Sequence, residues 1–142
     1  ATQCPCDRIP GAWLAGDVEQ APVDDWAFAN QAGICYVEVT SFIPHSVTLN
    51  CMSADKMLYL SCSQCDGKRW STVALEEGHG RIRIGDTVYP VSMTRVTDEG
   101  ELDVAWRAQA MKMAALRGTD VAANSLPPRP DHWWSFRLGS AG

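Results

Sequence analysis

Between Ile34 and Cys62 the chain alternates apolar and polar positions over three short runs, rich in Val, Tyr, Leu and Thr. A period of two marks half-buried β-strands, and polar or proline-containing breaks mark the turns between them. The pattern predicts a meander of strands 34–40, 46–52 and a third run ending at Cys62, with turns near Phe42–Pro44 and Ser53–Lys56. Pairing the first two strands about the first turn sets Val39 against Val47, Val37 against Leu49 and Cys35 against Cys51. Pairing about the second turn sets Cys51 against Leu58, Leu49 against Leu60 and Val47 against Cys62. All these residues then share one core face, with Glu38 and Thr48 pointing away; a one-residue slip would break that agreement.

The period changes further on. KRWSTVALEE at 68–77 suits a short helix, ended by Gly78–Gly80. Arg81–Ile84 and Thr87–Val96 form a hairpin about Gly85–Asp86. Glu99–Arg117 is the clearest helix. Asp98 caps it, Glu101 stands where a capping box needs it, and Gly118 suits the C-terminal cap. Its predicted apolar stripe is Leu102, Trp106, Ala110, Met113 and Leu116. His132–Leu138 reads as a last strand in which Trp133 and Trp134 face opposite ways. Nearer the start, Trp13, Leu14 and Val18 suit a short strand, and Val23–Asn30 a short helix or extended arm. Residues 1–12 read as an irregular arm, broken by Pro5, Pro10 and Gly11.

Composition adds limits. The 142 residues, 46% apolar and 20% charged, suit one domain with a real core. A net charge of −5 argues against a nucleic-acid surface, which needs clustered cations. No apolar run approaches the roughly 18–20 residues of a membrane-spanning helix. Six Trp are many for this length and point to an aromatic cleft or interface. No Ser-His-Asp order, HExxH, P-loop or GxGxxG occurs, so hydrolase and nucleotide-kinase readings have no residue support.

Three groups of residues carry candidate chemistry. Gly67, Lys68 and Arg69 stand where a helix begins, and free N–H groups with adjacent cations bind phosphate; a solvated helix start is the plain alternative. Cys62-x-x-Cys65, with Cys4 and Cys6, admits a metal site, a redox pair or structural disulfides. Cys35 and Cys51 face each other across a hairpin, either as small buried hydrophobes or as a disulfide. The spacing of opposed strand residues lets the two side chains touch but does not favour a bond, and it separates Cys51 from Cys62. Disulfides would place the chain in a periplasmic or secreted setting rather than the cytoplasm.

The order of these elements resembles the pyridoxamine 5'-phosphate oxidase-like split β-barrel superfamily. The resemblance rests on IPHSVTLNCMSADKMLYLSC, GKRWSTVALEEGHGRIRIGDTVYPVSMTRV and WWSFRL, and covers about residues 34–97 and 132–138. It implies a mainly β, α+β single domain: a split barrel of about six antiparallel strands, one long helix at 99–117 and a short one near 68–77. It further implies a homodimer holding FMN, a deazaflavin or haem at its interface, with a small-molecule ligand and redox chemistry. The matching cofactor positions are Ser61, Lys68 and Arg69 for the phosphate, and His45, Ser46, Trp70 and Trp134 for the ring. This sequence departs from the family in a longer SCSQCDGK loop before the helix. The alternative is a cofactor-free or metal-binding split barrel without catalysis, its metal held by Cys4, Cys6, Cys62 and Cys65.

Overall fold

A computed structural model describes residues 14, 16–40, 44–62, 68–118, 127–131 and 133–141, with His45 described in its backbone alone. The strands are β1 (Asp17–Val18), β2 (Cys35–Thr40), β3 (Pro44–Ala54), β4 (Met57–Cys62), β5 (His79–Ile84), β6 (Thr87–Arg95) and β7 (Trp134–Ser140). The helices are α1 (Arg69–Glu77) and α2 (Glu99–Leu116), with a 3₁₀ turn at Ala27–Gln31. Strands β6-β5-β2-β3-β4-β7 pair in that order, all antiparallel, and β7 returns to β6 to close a six-stranded barrel. Closure removes the sheet edges that would otherwise be open to pairing with another chain. The short β1 lies outside the barrel, parallel to β6.

The expected strands, hairpin and helices are present, and the meander registers are corrected by two residues. Cys35 stands opposite Leu49 and Val39 opposite His45. Cys51 stands opposite Leu60, and Ser53 opposite Leu58. The physical reason at the second turn is local. Asp55 and Lys56 both take positive φ, 51° and 70°, so they form the two-residue loop themselves. A shift of two preserves the side-chain period, so the same residues still face inward. Cys35, Val37, Val39, Cys51, Leu58 and Leu60 are all buried in the barrel core with Ile82, Val91, Phe136 and Leu138.

The pairing of the cysteines also changes. Cys35 and Cys51 are not directly opposed, yet they form a disulfide, with Cα atoms 5.9 Å apart. That separation lies within the usual disulfide range. Cys35 opens β2 at the end of its ladder, where the diagonal to Cys51 is short enough to bridge. Cys62 is disulfide-bonded as well, and no described cysteine is free. Cys4, Cys6 and Cys65 lie outside the described residues, as do the arm 1–12, Trp13, Phe42, the segment 63–67 and His132.

Helix α2 covers the outer face of β3 and β4. There Met52, Tyr59, Val96, Leu102, Ala105 and Trp133 form a second core. The buried line of α2 runs through Leu102, Ala105, Lys112 and Ala114, while Leu116 is exposed. The expected stripe is therefore displaced, because a lysine occupies a buried position that hydropathy assigns to solvent. Asp98 caps α2 by accepting from the Glu101 N–H at 2.8 Å. The reciprocal half of the capping box is replaced. Glu101 instead accepts from Tyr59 at 2.9 Å and from Arg137 at 2.7 and 2.8 Å. Burial, and then this bond to Glu101, push the Tyr59 hydroxyl up to about 12.

Glu38, expected to point to solvent, is buried on the outer face. It accepts from the Leu14 N–H at 2.6 Å and from Arg81 at 2.9 and 3.2 Å. Arg81 also donates to the Leu14 carbonyl at 2.7 Å, which ties Leu14 to the barrel wall. Gly80 sits where β5 passes β2 most closely: a Cβ there would lie 2.5 Å from the Glu38 carbonyl oxygen.

Candidate functional site

A cleft of about 260 Å³ opens on the barrel wall where β3, β4 and the start of α1 converge. Thr48, Leu49 and Asn50 of β3 form one side, Ser61 and Cys62 of β4 the other, with Ile34 and Lys68 at the mouth. Strand alternation explains the polar part of this lining. Thr48, Asn50 and Ser61 share the outward face, and Asn50 pairs directly with Ser61.

Lys68 is the N-cap residue of α1, in extended conformation, and among the described residues no side chain caps it. The hydroxyls of Ser71 and Thr72 instead donate to the Lys68 carbonyl, at 3.1 and 2.8 Å. The opening turn of a helix leaves backbone donors unpaired within the helix and carries partial positive charge. The Lys68 ammonium adds a full charge beside it. Ser61 is buried, and its hydroxyl donates to the Gln109 side-chain oxygen of α2. Gln109 thus holds the Ser61 side chain in place from outside the barrel.

The structure brings Ser61 and Lys68 together on this cleft. Arg69 is exposed as the first residue of α1 and does not line it. Ser46 is buried on β3, two residues before Thr48 on the same face, and its hydroxyl has no hydrogen-bond partner among the described residues. His45 lies opposite Val39. Trp70 is turned into the barrel core, 3% exposed, with its ring 5.4 Å from Phe136. Trp134 pairs with Cys62 across β4 and β7 and is covered by the Arg95 guanidinium 3.6 Å above its ring. Trp133 faces the other way, buried under α2 and edge-on to Trp106 at 5.3 Å. The opposite facing of the two Trp is thus observed, and both sides are occupied by protein.

The donor set suits the anionic end of a cofactor: one ammonium at a helix start, a hydroxyl at Thr48 and an amide at Asn50. Ser46, on the same face of β3, is buried and is not among the described residues lining the cleft. An aromatic wall for a flavin ring is not among the described residues lining the cleft. A metal site built from three or more His, Cys, Asp or Glu is likewise absent among the described residues.

Sequence reasoning missed Gln109 and Lys112. Gln109 lies seven residues after Leu102, on the same helix face, and that spacing was the one available signal.

No family model and no curated protein sequence matches this chain. Solved structures do match in shape. A protein from Listeria innocua named as a candidate pyridoxamine 5'-phosphate oxidase aligns with a TM-score of 0.59 at 10% identity, over 82% of this chain and 90% of that one. The chain has the pyridoxamine 5'-phosphate oxidase-like split-barrel fold. A conserved protein from Mycobacterium tuberculosis aligns with this split barrel at the same TM-score and identity, over 81% of this chain and 77% of that one. A candidate 5-nitroimidazole antibiotic resistance protein from Bacteroides thetaiotaomicron reaches 0.58 at 10% identity, over 86% and 83%. At such identities the likeness is one of fold.

Proposed function

We propose that this split barrel binds a flavin-type, phosphate-bearing cofactor and acts as a small oxidoreductase. The observation that carries the reading is the convergence of Lys68, at the start of α1, and Ser61 on one cleft. FMN is the first candidate, with a deazaflavin or haem as the others, and the bound group would supply the electron transfer. The chain's own residues would fix its anionic end: Lys68 by charge, the α1 N–H groups by direction, and Thr48 and Asn50 by hydrogen bonds.

The cleft volume lies just below the roughly 300–1,000 Å³ usual for ligand sites. A second copy of the chain would enlarge it and supply the missing ring contacts, so the working form is a homodimer. The half-exposed Ile34 at the mouth suits such a contact. The interface is expected to bury at least about 1,200 Å² in total, and light scattering at micromolar concentration checks it; a monomer counts against both dimer and ring site.

The direct test is titration with FMN. Its fluorescence should be quenched and the melting temperature should rise, since ligand at 100 times its dissociation constant stabilises by about 2.7 kcal/mol. Lys68→Ala should weaken binding about tenfold, the worth of one charge-assisted bond. No shift with FMN, a deazaflavin or haem overturns the reading. One observation favours a second reading, a cofactor-free barrel stapled by its cysteines: a disulfide-bonded Cys62 forms part of the cleft wall. On either reading the disulfides suit an oxidising compartment.

A further inference from the structure

Lys112 is buried, and among the described residues its ammonium meets backbone rather than a carboxylate. It donates to the carbonyl oxygens of Ala29 at 2.9 Å and Cys51 at 2.6 Å, and its Nζ lies 3.9 Å from the Cys51 Sγ. That sulfur is bonded to Cys35. A cation beside a sulfur stabilises it as a thiolate, and the more stable thiolate is the better leaving group. Both cysteines are fully buried in the barrel core, and they differ in their place along the strands. Cys35 is the first residue of β2 and follows Ile34, which is 52% exposed. Cys51 lies well inside β3, between Asn50 and Met52. Strand ends open locally at lower cost than strand centres. Local opening at the start of β2 therefore exposes Cys35, itself buried at rest, before Cys51, and Cys51 is the sulfur prepared to leave.

We propose that Lys112 makes the Cys35–Cys51 disulfide a directional redox latch, attacked by a dithiol at Cys35 and releasing Cys51 as a thiolate paired with the Lys112 ammonium. In the first step a thiolate of the dithiol forms a bond to Cys35 Sγ. The Cys35–Cys51 bond breaks, and its electron pair stays on Cys51. Lys112 keeps its proton and turns from a carbonyl towards the new thiolate. In the second step the other thiol of the reagent, having lost its proton, displaces Cys35, which takes up one proton. The dithiol is oxidised to a cyclic disulfide and loses two protons; the protein disulfide is reduced and retains one of them. Lys112 is a positioning residue here. The latch lies directly behind the cleft, since Ile34 precedes Cys35 and Asn50 precedes Cys51.

The experiment uses the folded full chain and two reagents. Dithiothreitol at set reduced-to-oxidised ratios, with thiols trapped by alkylation and counted by mass spectrometry, gives the ratio that opens half of the Cys35–Cys51 bond. Lys112→Met should require about a tenfold higher ratio, and Lys112→Arg, which keeps the charge, should stay near wild type. Equal midpoints for wild type and Lys112→Met overturn the proposal. Should Lys112→Met fail to fold, the wild-type chain alone decides through a monothiol. Glutathione cannot close a ring and should remain as a mixed disulfide on Cys35 in peptide mapping. Glutathione on Cys51, on both cysteines equally, or on neither until urea unfolds the chain, overturns it.

Discussion

Lys112 and Lys68 show how place decides what one residue type does. Lys68 is exposed at a helix start and offers its charge to whatever enters the cleft. Lys112 is enclosed, and burial pushes it down to about 8 from the ordinary 10.5. Between those two pH values the unfolded chain holds the lysine proton and the folded chain releases it. The unfolded state then binds more protons, so folding stability rises with pH across that window. Urea midpoints of wild type and Lys112→Met, taken from pH 7 upward, should diverge in that sense, the wild type gaining relative to the variant. A pH-independent difference would show that Lys112 is not held in the neutral-favouring site described. The subtraction removes the titration of every other group, Tyr59 included.

At the level of elements, the ends of α2 and the crossing of β5 behind β2 carry most of the local specificity. Asp98→Ala removes the bond to the Glu101 N–H and should cost about 0.5–2 kcal/mol in urea unfolding. Glu101→Gln should act differently, because Glu101 serves the tertiary contact to Tyr59 and Arg137. The Tyr59 hydroxyl should then ionise closer to its ordinary value, readable by ultraviolet titration. Gly80→Ala would drive a methyl group against the Glu38 carbonyl and the Met93 side chain. It should cost roughly 1–3 kcal/mol, as overpacking does, and a neutral result would mean the two strands can move apart freely. Of these features the cap at Asp98 is legible as a Ser/Thr/Asp/Asn residue before a helical period. The Glu38–Gly80 approach is not, since it joins two strands forty residues apart.

For the whole molecule, barrel closure decides which polar residues are buried. β7 pairs with both β4 and β6, so the last strand locks the first meander to the second hairpin. α2 then lies over the outer face of β3 and β4, burying Ser61 with Gln109 against it. The cleft is what the described residues leave open between β3, β4, the start of α1 and the mouth at Ile34. Ser61→Ala leaves Gln109 without that partner and should lower stability by about 1 kcal/mol, while FMN affinity should fall less than in Lys68→Ala. The opposite order of affinity loss would make Ser61, and not Lys68, the main anchor.

The alternation from Ile34 to Cys62, the helix at 99–116 and the hairpin at Gly85 are local patterns, and the sequence by itself determined them. Side-chain period survives an error of two residues, so the core face of the meander was legible although its registers were not. Registers depend on turn conformation, here the left-handed Asp55 and Lys56, which no side-chain pattern announces. The pairing of Cys35 with Cys51 followed from the same cause. Ser61 and Lys68 could be named from the chain, but their convergence needed β4 and α1 to meet. The burial of Lys112, Glu38 and Trp70 was decided by tertiary structure alone. Each lies where a second element covers a face that the chain, read one segment at a time, leaves open to water.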